Sequence, residues 1–158
     1  MRIPISALIG LTLTGMFLFV AIFAQWLAPY AVGDSSGAQW EGMSATHWLG
    51  TDTIGRDILS RLIFGAQITI FVALASSILS FSLGAFLGFT AAVQGGWIDQ
   101  ALSRLVDLVM AVPSLIIALV VLTIMSPNLI VLILIMGLLD ATRVFRLSRA
   151  VAADIAVM

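Results

Sequence analysis

From Ile68 to Val93 the chain runs for twenty-six residues without a charge or a proline. At about 1.5 Å per residue a helix of that length reaches ~39 Å, more than the ~30 Å hydrocarbon core of a bilayer. No apolar–polar alternation interrupts the run, which points to a helix rather than a barrel strand. A second run, Ile3 to Ala28, is also free of charge and long enough to span. Trp26 and Tyr30 stand at its far end, where amphipathic rings favour the interface, and Pro29 ends the helix. The run exceeds a signal-peptide core and no A-x-A site follows, so a retained anchor helix is expected. The chain is 61% hydrophobic and 9% charged. A soluble domain carries about 25% charged residues, and one this short cannot hide so much apolar surface, so lipid must solvate part of it. The expected fold class is an all-α polytopic membrane bundle.

Two further spans are expected. A third helix starts near Trp97, amphipathic at first with Asp99, Arg104 and Asp107, and spans about 105–126. Pro113 lies inside it and predicts a kink. Ser126, Pro127 and Asn128 read as a tight turn. A fourth span, about 129–146, has an apolar run from Leu129 only to Leu139 before Asp140 and Arg143. An acid and an arginine facing lipid at mid-bilayer cost about 6 kcal/mol together, more than the roughly 5 that ten apolar side chains return. The two charges therefore lie near the interface or face protein or water, and their spacing allows them to pair. The predicted domains are an N-terminal helix (1–30), a loop with an interfacial helix (31–66), and a bundle (67–158) with spans about 68–93, 105–126 and 129–146.

Within the loop, Thr53 to Phe64 reads as a short amphipathic helix, with Asp57 and Arg61 spaced to pair. Asp52 and Thr53 are placed to cap it, and Gly50 and Gly55 to allow backbone geometries closed to other residues. In the second span Ser76, Ser80, Gly84, Gly88 and Ala92 recur every fourth residue. Such a stripe lets helix backbones approach closely in lipid, which predicts a helix-packing seam. Arg2, Arg104, Arg143, Arg146 and Arg149 fall on one side of the membrane, Arg56 and Arg61 on the other. The side richer in arginine is the cytoplasm, so the N-terminus is expected inside and residues 31–66 outside.

Several function classes drop out. Without cysteine there is no disulfide, thiolate zinc site or cysteine nucleophile, and the single histidine, His47, cannot make a multi-histidine metal site. Without lysine there is no Walker A loop, so any ATP that drives this chain is hydrolysed by a partner. A net charge of −1 gives no case for nucleic acid. No enzyme activity and no cofactor in this chain are expected.

The segment His47-Trp48-Leu49-Gly50-Thr51-Asp52-Thr53-Ile54-Gly55-Arg56-Asp57, continuing to Ser60-Arg61-Leu62 and Gly65-Ala66, resembles the signature H-x-L-G-T-D-x-x-G-R-D-x-x-S-R-L-x-x-G-A. This is the signature of C-type permease subunits of the dipeptide, oligopeptide and nickel ATP-binding-cassette (ABC) importers. The resemblance continues at Gly95-Gly96-Trp97-Ile98-Asp99, Arg104-Leu105-Val106-Asp107, Ala111-Val112-Pro113-Ser114-Leu115 and Arg143 to Arg149. It implies a six-helix permease of the cytoplasmic membrane, of which this chain holds four helices. It also implies a second permease subunit, two cytoplasmic ATPases and an extracytoplasmic binding protein as partners, and transport by alternating access. The family's E-A-A-x-x-x-G coupling loop does not occur here and is expected beyond Met158, in a longer protein. On this reading Gly50, Thr51, Asp52, Gly55, Arg56, Asp57, Ser60 and Arg61 form a rigid elbow before the second span or a docking surface for the binding protein. His47 is a loop or interface residue rather than a nickel ligand. Arg104 and Asp107 form a structural ion pair or transmit ATPase movement. Arg143, Arg146 and Arg149 orient the chain at lipid head groups or touch the ATPase. Two other classes compete: an ion-coupled secondary transporter or channel, for which Asp140 is the candidate ionisable group, and a non-transporting membrane scaffold.

Overall fold

The computed structural model describes residues 4–126 and 128–156. Arg2 and Pro127, used above for sidedness and for a turn, lie outside the described residues. The described chain is helical, in two compact units, one within Met1–Phe71 and the other within Val72–Met158.

The first unit opens with α1 (Ile5–Ile22) and α2 (Ala24–Leu27). Bonds from Phe23 N–H to Phe19 O and from Leu27 N–H to Phe23 O, both 3.0 Å, carry the ladder across the small irregularity at Phe23. Ala28 is extended (ψ 123), as a residue before proline must be, and the helix stops there. Almost every large side chain of α1 faces outward, from Ile5 to Ile22. That is the surface of a helix whose solvent is lipid.

Helix α3 corrects the sequence reading. A short interfacial helix over 53–64 and a separate span over 68–93 are in fact one helix, Ile58–Gln94, of 37 residues. Residues 51–57 form a turn instead, closed by an antiparallel bridge between Thr51 and Asp57. Gly65, the residue between the two expected segments, does not interrupt the ladder, because helix formers flank it on both sides. At about 1.5 Å per residue α3 is ~55 Å long, well beyond one hydrocarbon core. It ends where Gly95 and Gly96 take positive φ (57° and 56°), a region that costs other residues steric energy.

In the second unit, α4 (Gly96–Ala111) and α5 (Ser114–Ile124) replace the single kinked span expected over 105–126. Their axes differ by 81°. Val112 (ψ 131) and Pro113 (ψ 126) are both extended, so the helix is broken, not bent. Proline explains both residues, since it removes a donor and drives its predecessor out of the α region. α5 has eleven residues, about 16 Å, too short to span alone. α6 runs unbroken from Leu129 to Ala156, past the expected boundary at 146. By length and composition two described helices are able to cross a membrane, Ile5–Ile22 and Ile58–Gln94, or three if α4 and α5 count as one span. α6, expected as a fourth span, is not among them because Asp140, Arg143 and Arg146 follow its short apolar run.

α4 and α5 both pack on α6. The core of this unit is Ala91 of α3, Val106 of α4 and Phe145 of α6, with Leu87 and Leu102 against them.

Candidate functional site

The signature segment forms a hydrogen-bonded knot around the N-terminus of α3. Asp57 precedes the helix, and its Oδ2 accepts the Ser60 N–H (2.7 Å) and the Ser60 hydroxyl (2.8 Å). This is N-cap geometry, and it belongs to Asp57 rather than to the expected Asp52 and Thr53. The other oxygen of Asp57 lies 3.1 Å from His47 Nδ1. Burial pushes the Asp57 carboxyl up, but the Ser60 N–H, the Ser60 hydroxyl and His47 together hold it below the usual carboxylate range. A carboxylate only accepts, so His47 Nδ1 carries the proton between them. Ser60 Oγ in turn accepts the Tyr30 N–H (3.1 Å). The Tyr30 hydroxyl donates to Thr46 O (3.0 Å), and its ring lies 4.9 Å from the His47 ring. His47 and Asp57 are each 3% exposed and Ser60 1%. Tyr30, Ser60, Asp57 and His47 thus tie the end of α1–α2, the start of α3 and the loop into one polar chain with no buried side-chain atom left unpaired among the described residues.

The loop before this cap pairs with itself. Gly37 N–H donates to Gly55 O (3.1 Å), Trp40 N–H to Asp52 O (3.2 Å) and Thr51 N–H to Glu41 O (3.0 Å). The Thr51 hydroxyl donates to Ala38 O (2.5 Å) and accepts the Glu41 N–H (2.9 Å). Gly50 and Gly55 have φ of 78° and 77°. A Cβ on Gly50 would lie 2.5 Å from Glu41 O, and one on Gly55 would collide with Gly37 O. Both glycines are therefore fixed by sterics as well as by φ. Trp40 also has positive φ (56°) without glycine's freedom, while its side chain stays exposed.

Asp52 organises the turn that follows. Its Oδ1 accepts N–H groups from Ile54 (2.9 Å) and Arg56 (3.0 Å). Its Oδ2 meets Arg56 Nη2 (2.8 Å) and Arg61 Nη1 (2.6 Å). Partial burial raises this carboxyl, but those backbone N–H groups and the Arg56 guanidinium outweigh it and keep Asp52 well below the usual carboxylate range. The expected Asp57–Arg61 pair is not made, because Asp57 is spent on the cap and Arg61 reaches Asp52.

In the second unit the small-residue stripe faces α6. A Cβ on Gly84 would lie 2.6 Å from Ala141 O and from Val144 Cβ; one on Gly88 would lie 2.8 Å from Phe145 O. Ser80 is buried and Ser76 and Ala92 half-buried, while neighbouring Ala91 is fully enclosed. Gly137 of α6 meets Leu79 in the same way, a contact that sequence reasoning missed. Ion pairs close α4 against α6. Arg149 grips Asp99 through both Nε and Nη2, and Arg146 Nη2 meets Asp107 (2.5 Å). The expected Arg104–Asp107 pair is therefore replaced by Asp107–Arg146. Asp140 and Arg143 do pair, at 3.1 Å and largely exposed. Pro113 lines a pocket at the α4–α5 break with Ser114, Thr142 and Arg143.

Comparison with known proteins bears on both constellations. Residues 84–156, which include the glycine seam and all three α6 ion pairs, match the family of binding-protein-dependent transport system inner membrane components. The chain is 34% identical over 152 residues to the dipeptide transport system permease protein DppC of Haemophilus influenzae, covering 92% of this chain and 52% of that protein. It is 35% identical to the di/tripeptide transport system permease protein DppC of Pseudomonas aeruginosa, covering 92% and 50%. It is 34% identical to the glutathione transport system permease protein GsiD of Pectobacterium atrosepticum, covering 70% and 38%. The chain belongs to this permease family. It spans about half the length of the dipeptide permeases it matches.

Both constellations tie elements of the chain together. One fixes a loop onto a helix start, and the other fixes α3 and α4 onto α6. Sequence reasoning named Tyr30, Asp99 and His47 but missed their partners Ser60, Arg149 and Asp57. A signal for Asp99 was present: Asp99 and Asp107 stand eight residues apart on α4, two turns along one face, opposite paired arginines three apart on α6.

Proposed function

We propose that this chain is part of the membrane-spanning permease of an ATP-driven importer that takes up short peptides delivered by a binding protein. The observation that carries the reading is the match to dipeptide and di/tripeptide permeases over 92% of the chain. A second permease subunit, two cytoplasmic ATPases and an extracytoplasmic binding protein complete the machine. The chain supplies no Lys for a phosphate loop, which fits an engine on separate subunits. The N-terminus and the arginines of α6 lie in the cytoplasm and residues 31–57 lie outside, in keeping with the arginine asymmetry. Transport proceeds by alternating access, with α3, α4 and α6 moving as packed bodies. The broken α4–α5 pair and the glycine seam support discrete rearrangement over continuous bending. Asp140, the group that an ion-coupled mechanism would need, is paired with Arg143, which favours the ATP-driven reading.

Deleting the gene in a peptide auxotroph should abolish growth on the dipeptide, and the intact gene should restore it. Growth unchanged by deletion refutes the import reading and favours a scaffold. Sidedness is tested separately. These 158 residues contain no cysteine, so Ser36→Cys reports on a clean background within them. Labelling of Cys at 36 by an impermeant maleimide in intact cells supports the topology; labelling only after lysis inverts it. Cysteine pairs at Leu87 and Leu102, which both pack against the Ala91–Val106–Phe145 core, should cross-link differently with and without nucleotide.

A further inference from the structure

We propose that α4 lies in the plane of the membrane surface instead of crossing it, with Leu105 and Leu108 among the acyl chains of one leaflet and Arg104 on a lipid phosphate. The polarity of α4 changes around the helix, not along it. Ala101, Leu102, Leu105, Val106, Leu108 and Val109 fall on one arc. Asp99, Gln100, Ser103, Arg104 and Asp107 fall on the other. A helix with two such faces lies along an apolar–aqueous boundary. Protein covers part of the apolar arc, where Leu102 and Val106 meet Ala91 and Phe145. Leu105 and Leu108 are 61% and 72% exposed.

α6 supplies the direction of the membrane normal. Its polarity changes along the helix: Leu129 to Leu139 carries no charge, and Asp140, Arg143, Arg146 and Arg149 follow. Such a helix runs with depth, from hydrocarbon towards water. The pocket that Pro113 and Ser114 share with Thr142 and Arg143 sets the start of α5 level with the first charges of α6. There α4 departs from α5 at 81°. Asp99 meets Arg149 and Asp107 meets Arg146, so eight residues of α4, about 12 Å, cover three of α6, about 5 Å. α4 therefore crosses α6, at the level of its charges. Both neighbours of α4 in the chain are apolar and open: Phe89 and Val93 precede it and Leu115 and Ile116 follow it, all exposed.

Charge argues for the same occupant. Asp99 is held by Arg149 and Asp107 by Arg146, and among the described residues no carboxylate pairs with Arg104. Arg104 is exposed at the edge of the polar arc, on one helical face with the exposed Trp97. Trp favours the head-group layer, and a free guanidinium there matches a phosphate. On the sidedness proposed above, this is the cytoplasmic leaflet.

The full-length protein in nanodiscs, without other cysteines, carries a spin label on Gln100→Cys, Ala101→Cys, Leu105→Cys or Leu108→Cys. Depth is read from collision with oxygen and with a water-soluble nickel chelate. The labels at 105 and 108 should meet oxygen and lose the chelate, and the label at 100 should meet the chelate. Ala101 and Leu108 share a face but stand seven residues, about 10 Å, apart along α4. Equal depth at 101 and 108 supports the in-plane helix; a depth difference of that size makes α4 a span and overturns the proposal. Chelate access at all four positions puts α4 in water and also overturns it. Exclusion of both probes at 105 and 108 means cover by another protein chain and overturns the lipid assignment. In solid-state NMR, lipid phosphorus should dephase arginine Cζ, and Arg104→Gln should reduce that dephasing; unchanged dephasing overturns the phosphate contact. None of these readouts depends on the transported solute, so their failure leaves the import reading standing, and failure of that reading leaves them unchanged.

Discussion

Asp57→Ala should unlatch the loop from α3 without unfolding the second unit. Three donors point at the carboxylate: Ser60 N–H, Ser60 hydroxyl and His47 Nδ1–H, all within 2.7–3.1 Å. Loss of an N-cap costs about 0.5–2 kcal/mol. A buried donor left without a partner costs about 1–3 kcal/mol, and two side-chain donors are orphaned here. The sum is about 2.5–8 kcal/mol, and the ~3–5 kcal/mol expected when one partner of a buried pair is removed lies inside it. Asp57→Asn keeps an acceptor for the helix N-terminus but loses the charge, and should cost about half as much. Hydrogen exchange followed by mass spectrometry in nanodiscs reads the effect locally. At 1.4 kcal/mol per factor of ten, a 3 kcal/mol loss speeds exchange of the Tyr30, Gly50 and Ser60 amides more than about a hundredfold. Peptides from α6 should not change. If Asp57→Ala leaves those three amides within about threefold of the parent, the knot does not depend on the cap and the reasoning fails.

Three further outcomes follow from the same geometry. The Asp57 carboxyl is held below its ordinary value of 3.8, so its stabilisation is complete above that pH and is lost as pH falls through the lowered folded value. Exchange protection around Ser60 should stay flat from pH 7 to about 5 and collapse below about 4, and a collapse beginning near pH 6 would contradict the assignment. Gly84→Ala places a Cβ 2.6 Å from a backbone carbonyl that cannot move aside, and should destabilise the second unit by about 1–3 kcal/mol in thermal melts, whereas Gly65→Ala, with nothing near, should cost nothing and stabilise α3 by up to about 1 kcal/mol. In double-mutant cycles the two-pronged Asp99–Arg149 pair should couple by about 1 kcal/mol and the more exposed Asp107–Arg146 pair by less than about 0.5.

What the sequence disclosed of the fold follows its periods. The charge-free runs of α1 and α3, the every-fourth-residue stripe of Gly84 and Gly88, and the break at Pro113 are local properties of the chain, and local pattern reads them directly. The errors came where a local signal was weaker than its surroundings. Gly65 and the polar face of residues 57–61 suggested that one helix ended and another began. A helix that has already nucleated gains a bond with each added residue, so a single glycine worth about 1 kcal/mol does not stop it. At Pro113 the signal was read correctly in kind but too weakly in degree. α4 and α5 each have a surface of α6 to pack on, so the chain gives up helical geometry at Val112 and Pro113 rather than lose either contact.

The charged pairs make the opposite case. Asp57–Arg61 and Arg104–Asp107 satisfied the helical spacing rule, and neither forms. An exposed pair at that spacing is worth about 0.3–0.5 kcal/mol, so any better partner takes its members away. Asp57 finds three donors in a buried pocket, which leaves Arg61 to Asp52. Asp107 finds Arg146, thirty-nine residues along the chain. Asp140 and Arg143 keep their local pairing, with no better partner contacting either among the described residues. Spacing therefore fixes which charges are able to meet, and burial decides which do. The contacts that the sequence reading missed, those of Tyr30, Asp99 and His47, are to partners that lie thirty, fifty and ten positions away. A second sequence in which Asp99 and Arg149 exchange sign together would have shown the α4–α6 clamp without coordinates, because only residues in contact gain from changing as a pair.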